Sequence, residues 1–277
     1  MNARANLQLE DRARVLLRGL ILPSALDVAP LTATPRAAVW PPQRALGAEL
    51  RRTVEGRRVA VAFARGRDRY ARQSAQVFLM GKRASTALAS DGPAESIADR
   101  WVQALLVERG LARVDVAAMR PACAVALLRR EAKARKARRG LWGRSAYAVV
   151  RANALAALRR RVGSYQIIEG RIAGVEMRGR RVRLALASRG KSATASLFGL
   201  TIWRRIHRAL LRDAAATTLV GRRLEVRGWL IPGRVPRVRI SHRHQLRLLP
   251  ASQPALQPSP TPTRAPAPIT APGPPRR

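Results

Sequence analysis

Acidic residues are scarce in this chain. Sixteen Asp and Glu stand against 54 Lys and Arg in 277 residues, for a formal net charge of +38. Such a surface repels itself and attracts polyanions, so nucleic acid or an anionic membrane is the default partner. Lysine is scarce too, occurring only at 82, 133, 136 and 191, so nearly all of the positive charge is arginine. A GC-rich genome produces Arg- and Ala-rich chains, but it does not explain the shortage of acids. Cys123 is the only cysteine, which excludes an intrachain disulfide and a cysteine metal cluster. Its place on an apolar helix stripe predicts a buried, inert side chain. Histidine occurs only at 207, 242 and 244. His242-x-His244 puts two rings on one strand face, no third metal ligand is evident, and edge-strand positions are the expectation. Aromatics make up 4% of the chain, so its cores rest on Leu, Val, Ile and Ala. No run of about 18 apolar residues is present, so no membrane span is expected. The first residues lack a signal-type apolar core, so the chain as given reads as cytoplasmic, or as secreted or periplasmic if its true start lies upstream of Met1. There is no Ser-His-Asp pattern, P-loop or dinucleotide motif.

The apolar fraction of 47% is enough for packed cores, and the length suits one large or two ordinary domains. Leu7–Asp11 and Arg14–Ile21 read as two strands about a polar turn, closed by Leu22-Pro23-Ser24. Pro30, Pro35, Pro41 and Pro42 argue against long regular structure before residue 48, with a short helix from Ala45 to Val54. Arg57–Phe63 reads as a strand, and residues 80–94 as a loop or ragged hairpin. Ser96 and Asp99 form a capping-box pattern for a helix that places Ile97, Trp101, Ala104, Leu105 and Glu108 on one face and stops at Gly110. Pro121 opens a helix with the stripe Cys123, Leu127, Ala134, Ala137 and Leu141, opposite Arg129, Arg130, Lys133, Lys136 and Arg139. A continuing helix is expected over Tyr147–Arg161. Strands then read over Tyr165–Val175, Arg180–Ala187, Ala193–Phe198, Leu219–Leu230 and Arg237–Ile240, with a helix over Ile202–Arg212. Five strands and one helix fit an OB-type barrel. Residues 250–277, rich in Pro, Ala and Thr, lack the apolar content to fold.

Three stretches define a resemblance. Asp68-Arg69-Tyr70-Ala71-Arg72 leads into Gln73–Leu79, Trp101–Val114 ends in Gly-Leu-Ala-Arg-Val, and Glu131-Ala132-Lys133-Ala134-Arg135 runs on to Trp142. In this order and spacing they resemble the staphylococcal nuclease (thermonuclease) family, whose patterns are D-[KR]-Y-G-R, G-L-A-x-V and E-A-x-A-[KR]. The resemblance covers roughly the first half of the chain and implies an OB-fold nuclease-like barrel over 1–144 whose first strand is truncated or missing. With the patterns read above, the expectation is a mainly β, α+β chain that continues in a helical connector over 145–162, a second small OB-like β-barrel over 163–249 and a disordered Pro-rich tail over 250–277. A barrel short of one strand exposes an unpaired edge. Gly221–Trp229 looks like a strand seen in barrel appendages of bacterial nuclease-like proteins.

The family, as the resemblance implies, holds Ca2+ with two carboxylates, activates water with a Glu, grips the phosphate with two Arg and seats the nucleotide with two Tyr. Such chemistry needs hard oxygen ligands, fixed cations and a base within reach of water. Carried onto this chain, the metal carboxylates fall near Ala5 and at Ile21, and the base at Ser24. The first phosphate Arg falls at Leu16, flanked by Arg14 and Arg18, and the Tyr pair at Val116 and Ala118. Arg72 alone is retained. Asp27, Glu10 and Asp11 are the nearest acids and read as solvated turn residues. Asp68 reads as a turn former or an arginine's partner. The leading reading is a pseudo-nuclease without metal or cofactor that binds nucleic acid through Arg72 first, with Arg69, Arg129, Arg130, Lys133 and Lys136 secondary. The alternatives are an active Ca2+-dependent nuclease of DNA or RNA, and a scaffold that meets protein partners through its barrels and Pro-rich tail.

Overall fold

The computed structural model describes residues 6–9, 14–24, 27, 40–80, 100–178, 181–188, 191–198, 200–213 and 218–250. The expectations for Ala5, Glu10, Asp11, Pro30, Pro35, Ser96, Ile97 and Asp99, for the 81–94 loop and for the tail beyond 250 lie outside these residues.

The first sheet holds β1 (Asn6–Gln8), β2 (Arg14–Leu17), β4 (Val59–Phe63) and β5 (Gln73–Leu79) in the order β1-β2-β5-β4. β2 runs parallel to β5, pairing Val15 with Gln73 and Leu17 with Ala75, while β4 and β5 are antiparallel. A short ladder joins β3 (Leu20–Ile21) to β6 (Arg113–Val114). Among the described residues β1 and β4 end the sheet, and no strand joins one to the other.

Helix α1 spans Pro41–Val54 and starts earlier than Ala45. Pro41 and Pro42 open it instead of excluding it, because the first helical turn needs no N–H donors from these positions. Helix α2 (Val102–Glu108) is buried nearly all round, with Val102, Gln103, Ala104, Leu106 and Val107 covered. The single apolar face expected for it is therefore too narrow. Gln103 can be buried because its amide donates to Ala75 O and accepts from Val77 N, holding α2 on β5. In helix α3 (Pro121–Lys136) the buried positions are Ala124, Leu127, Glu131 and Ala134. Leu127, Ala134 and Leu141 are buried as expected, while Cys123 is half-buried against the core and Ala137 is exposed, with Ala124 and Glu131 on the buried face instead. Gly110, at φ +69°, stops α2 and abuts Gly140, at φ +52°. A Cβ on Gly110 would stand 2.2 Å from Arg139 O, so this approach of two backbones requires glycine.

The expected long helix over 147–161 is instead a 3-10 turn (Ser145–Tyr147), strand β7 (Val150–Arg151) and a short helix α4 (Leu155–Arg160). Beyond it lie β8 (Tyr165–Arg178), β9 (Arg181–Ser188), β10 (Lys191–Phe198), helix α5 (Leu200–Asp213), β11 (Arg223–Ile231), β12 (Arg237–Ile240) and β13 (Leu246–Leu248). Pairings run β8–β9–β10–β12–β11 and return from β11 to β8, with β10 parallel to β12. This circuit, with one helix between its third and fourth strands, is the OB order. Leu184, Leu186, Leu224, Val226, Leu230 and Ile240 fill its core.

The two sheets meet along a seam of buried charge. Arg227, 3% exposed, donates from Nη1 to Glu131 Oε2 (2.6 Å) and from Nη2 to Glu225 Oε1 (2.7 Å). Glu225 also accepts from Arg135 (2.9 Å) and Arg247 (2.8 Å) through Oε2, and Glu131 Oε1 accepts from Val114 N. Burial pushes the Glu225 carboxyl up, but the guanidiniums of Arg227, Arg135 and Arg247 outweigh it and hold the group down at about 2. A depressed carboxylate contributes stability that is complete above its ordinary range and disappears as pH falls through the folded value. Thermal unfolding followed by circular dichroism should therefore show a midpoint that drops between pH 4.5 and pH 2. Glu225→Gln should be destabilised at neutral pH, and its deficit relative to the parent should shrink toward pH 2.

Candidate functional site

Asp68–Arg72 forms the tight turn between β4 and β5. Asp68 Oδ1 accepts from the backbone N–H of Tyr70 (2.9 Å) and of Arg72 (3.0 Å). Its Oδ2 accepts from Arg72 Nε (2.8 Å) and pairs with Arg72 Nη2 (2.6 Å). The Arg72 hydrogen bond is the main reason that this carboxyl lies low, at about 2. Arg72 thus holds the turn through its fork, and its side chain is 13% exposed. Arg69 and Arg72 both lie over the half-exposed Tyr70 ring, at 4.9 and 4.8 Å from its centroid. Arg69 is exposed. By register Arg72 sits beside Arg14, one residue before the Val15–Gln73 pair.

The corner onto which the sequence resemblance carries the family's metal and water positions is built on Ile21, Ser24 and Asp27. Ile21 pairs with Arg113 across the β3–β6 ladder and offers no oxygen donor from its side chain. Ser24 and Asp27 close a turn in which Asp27 N donates to Ser24 O and Asp27 Oδ2 accepts from Ser24 N (2.8 Å). Asp27 is 4% exposed, which corrects its reading as a solvated turn acid. Its Oδ1 accepts from Arg113 Nη2 (2.8 Å), and its Oδ2 also accepts from the Tyr147 hydroxyl (3.3 Å). Trp40 Nε1 in turn donates to that hydroxyl (3.1 Å). Burial first, and Asp27 second, push the Tyr147 hydroxyl up to about 12, so it stays protonated. Arg113 lies between the rings of Tyr147 and Tyr165 and donates from Nη1 to Tyr165 O. Tyr165 closes the group by donating from its hydroxyl to Val114 O (2.9 Å).

The other carried-over positions are apolar or engaged. Leu16 is half-buried, Val116 is fully buried, and Arg18 donates from Nε to Ala118 O. Among the described residues no group of three or more His, Cys, Asp and Glu is placed to hold a metal ion. His242 and His244 occupy a 3-10 turn and not an edge strand, with His242 Nδ1 capping the turn by accepting from His244 N. Burial lowers the His242 ring from its ordinary range, and Arg243 adds to this.

The expected cations fall on two elements. Arg69 and Arg72 sit in the β4–β5 turn, while Arg129, Lys133 and Lys136 are exposed at helical spacing on α3, opposite its buried face. Arg130 is partly buried and pairs with Glu108 (2.6 Å). Sequence reasoning missed Arg113, Tyr147, Tyr165, Glu225, Arg227 and Arg247. The one signal pointing to them is the rarity of acids. An acid inside an apolar strand, as Glu225 is, can be buried only with a cation beside it.

Residues 43–144 match the model of the family described as staphylococcal nuclease homologue. This part of the chain is a staphylococcal-nuclease-like domain, of a family whose members act on or bind nucleic acid. No curated protein matches the chain. Solved structures similar to it include the S. pombe Stn1–Ten1 complex (12% identity, TM-score 0.23), with 31% of this chain and 59% of that one covered. The chain thus spans about three fifths of that relative's length. Others are the OBody AM1L10 bound to hen egg-white lysozyme (13%, TM-score 0.24, 32% and 81% covered) and an aspartyl-tRNA synthetase-like protein of Leishmania major Friedlin (9%, TM-score 0.27, 38% and 21% covered).

Ala71 stands at φ 57° where the family pattern has glycine. A side chain in that region costs about 1 kcal/mol. Ala71→Gly should raise the thermal midpoint by a few degrees while leaving the Asp68–Arg72 pair intact, as read by calorimetry.

Proposed function

We propose that the chain binds nucleic acid through the exposed cations of its nuclease-like domain and does not cleave it by the family's calcium-dependent route. One observation carries this reading: the acid nearest the family's calcium corner is committed to a buried ion pair. Calcium takes six to eight oxygen ligands. Ile21 supplies none from its side chain, and both oxygens of Asp27 are engaged by Arg113, Ser24 and Tyr147. The residues present therefore do not fit the ion. Freeing Asp27 would strand a buried guanidinium, a loss of about 3–5 kcal/mol when one partner of such a pair is removed. The hydroxyl of Ser24 is no base at neutral pH.

Binding rests on different groups. Phosphates are attracted by exposed cations, and each contact releases counterions, so affinity falls as salt rises. Arg129, Lys133 and Lys136 form one exposed row on α3, and Arg138 and Arg139 extend it. Arg69 supplies a second point of contact beside the exposed Tyr70 ring. Arg72 serves as the clasp that shapes this turn.

Filter binding of the full chain to single- and double-stranded DNA and RNA, over a range of salt concentrations, tests the reading. Binding should weaken steeply with salt, and Arg129→Ala with Lys133→Ala should each flatten the log–log slope by about one. Cleavage should be absent with calcium as with EDTA. Salt-independent binding, or cleavage that EDTA abolishes, would reject the proposal.

A further inference from the structure

A cleft of about 480 Å³ opens where the end of α3 meets β13, on the far side of the charged seam. Its walls include Arg135, Lys136, Trp142, Val149 and Arg247. Three of these are cations and none is an acid. Arg135 comes from helix α3 and Arg247 from β13, yet both donate to Glu225 Oε2, whose side chain is 2% exposed. The carboxylate stands behind them and fixes two guanidiniums side by side. Each guanidinium carries five N–H donors, and Glu225 engages one Nη of each. Among the described residues Glu131 and Glu225 pair with three guanidiniums, those of Arg227, Arg135 and Arg247, and Lys136 lines the cleft as a further cation. Arg135 also lies 5.5 Å from the centroid of the Trp142 ring, so the cationic wall adjoins an aromatic and aliphatic one.

Paired guanidiniums match the geometry of phosphate oxygens, and lysine adds a point charge. An apolar wall with a few convergent charged groups suits a small organic anion. We propose that this cleft binds the phosphate of a nucleotide, with sugar or base resting against the Trp142–Val149 side. The site is composite, because Arg247 belongs to the second sheet and the other walls to residues that precede it. It rests on the nucleic-acid reading above only for the source of the phosphate, which is a free nucleotide or a nucleic-acid strand.

Calorimetric titration of the full chain with thymidine 5′-monophosphate and with thymidine tests it. The nucleotide should bind saturably at one site and thymidine should not. Arg247→Ala and Lys136→Ala should each weaken binding by about tenfold, while Arg57→Ala, an exposed cation away from the cleft, should change it less than about twofold. Arg247 and Lys136 are exposed at the surface, and circular dichroism of the variants checks that the fold persists. No saturable binding, or equal weakening by Arg57→Ala, would overturn the proposal. Competition with an oligothymidylate identifies the source. Competition assigns the phosphate to a strand. Nucleotide binding without competition, and without binding in the filter assay, keeps the site and removes the nucleic-acid reading.

Discussion

Arg227 cannot leave the seam without its partners. A guanidinium 3% exposed and held between two carboxylates is costly to desolvate, and its pairing offsets that cost only if both acids stay in place. Such a triad adds little net stability over an apolar contact of the same shape. What it adds is selectivity, because a shifted docking of α3 on β11 strands a buried charge. Arg113 works the same way at the other end of the seam, where Asp27, Tyr147 and Tyr165 surround it. The two sheets are thereby fixed against each other by polar groups that tolerate one arrangement.

The same groups determine what is left outside. Asp27, Glu131 and Glu225 are almost fully buried, and Glu49, Asp68, Glu108 and Glu169 are held by Arg52, Arg72, Arg130 and Arg223. In a chain with 16 acids, each one taken inside or paired leaves more of the outer field to arginine. The positive surface follows from where the acids go as much as from how many cations there are.

Much of the frame is legible in the sequence. The strands and helix of the second OB unit read off the alternation and the glycine turns to within a few residues, because each strand buries one face against one core. The three nuclease-like motifs locate the turn at Asp68, the end of α2 at Gly110 and the run of α3 from Glu131 toward Trp142. The misreadings share a cause. Pro41 and Pro42 look like breakers until a helix begins on them. Asp27 looks solvated, and Glu225 and Arg227 draw no notice, because a lone charged residue gives no sign of a partner 86 or 96 residues away. Period alone cannot tell an outward strand face that meets water from one that meets another sheet.

The corner around Ile21 is built on a buried ion pair. A divalent site needs several carboxylates turned toward one point, and their mutual repulsion is tolerable only with the ion between them. A lone carboxylate beside a buried arginine gains more from the guanidinium than from any exposed cation. Asp27 does this, and the two tyrosines beside Arg113 shield the pair from water. The pair then ties the loop after β3 to Tyr147 and, through Tyr165, to the second sheet. The loop after β3 is thereby anchored to Tyr147 and to Arg113 by the buried pair.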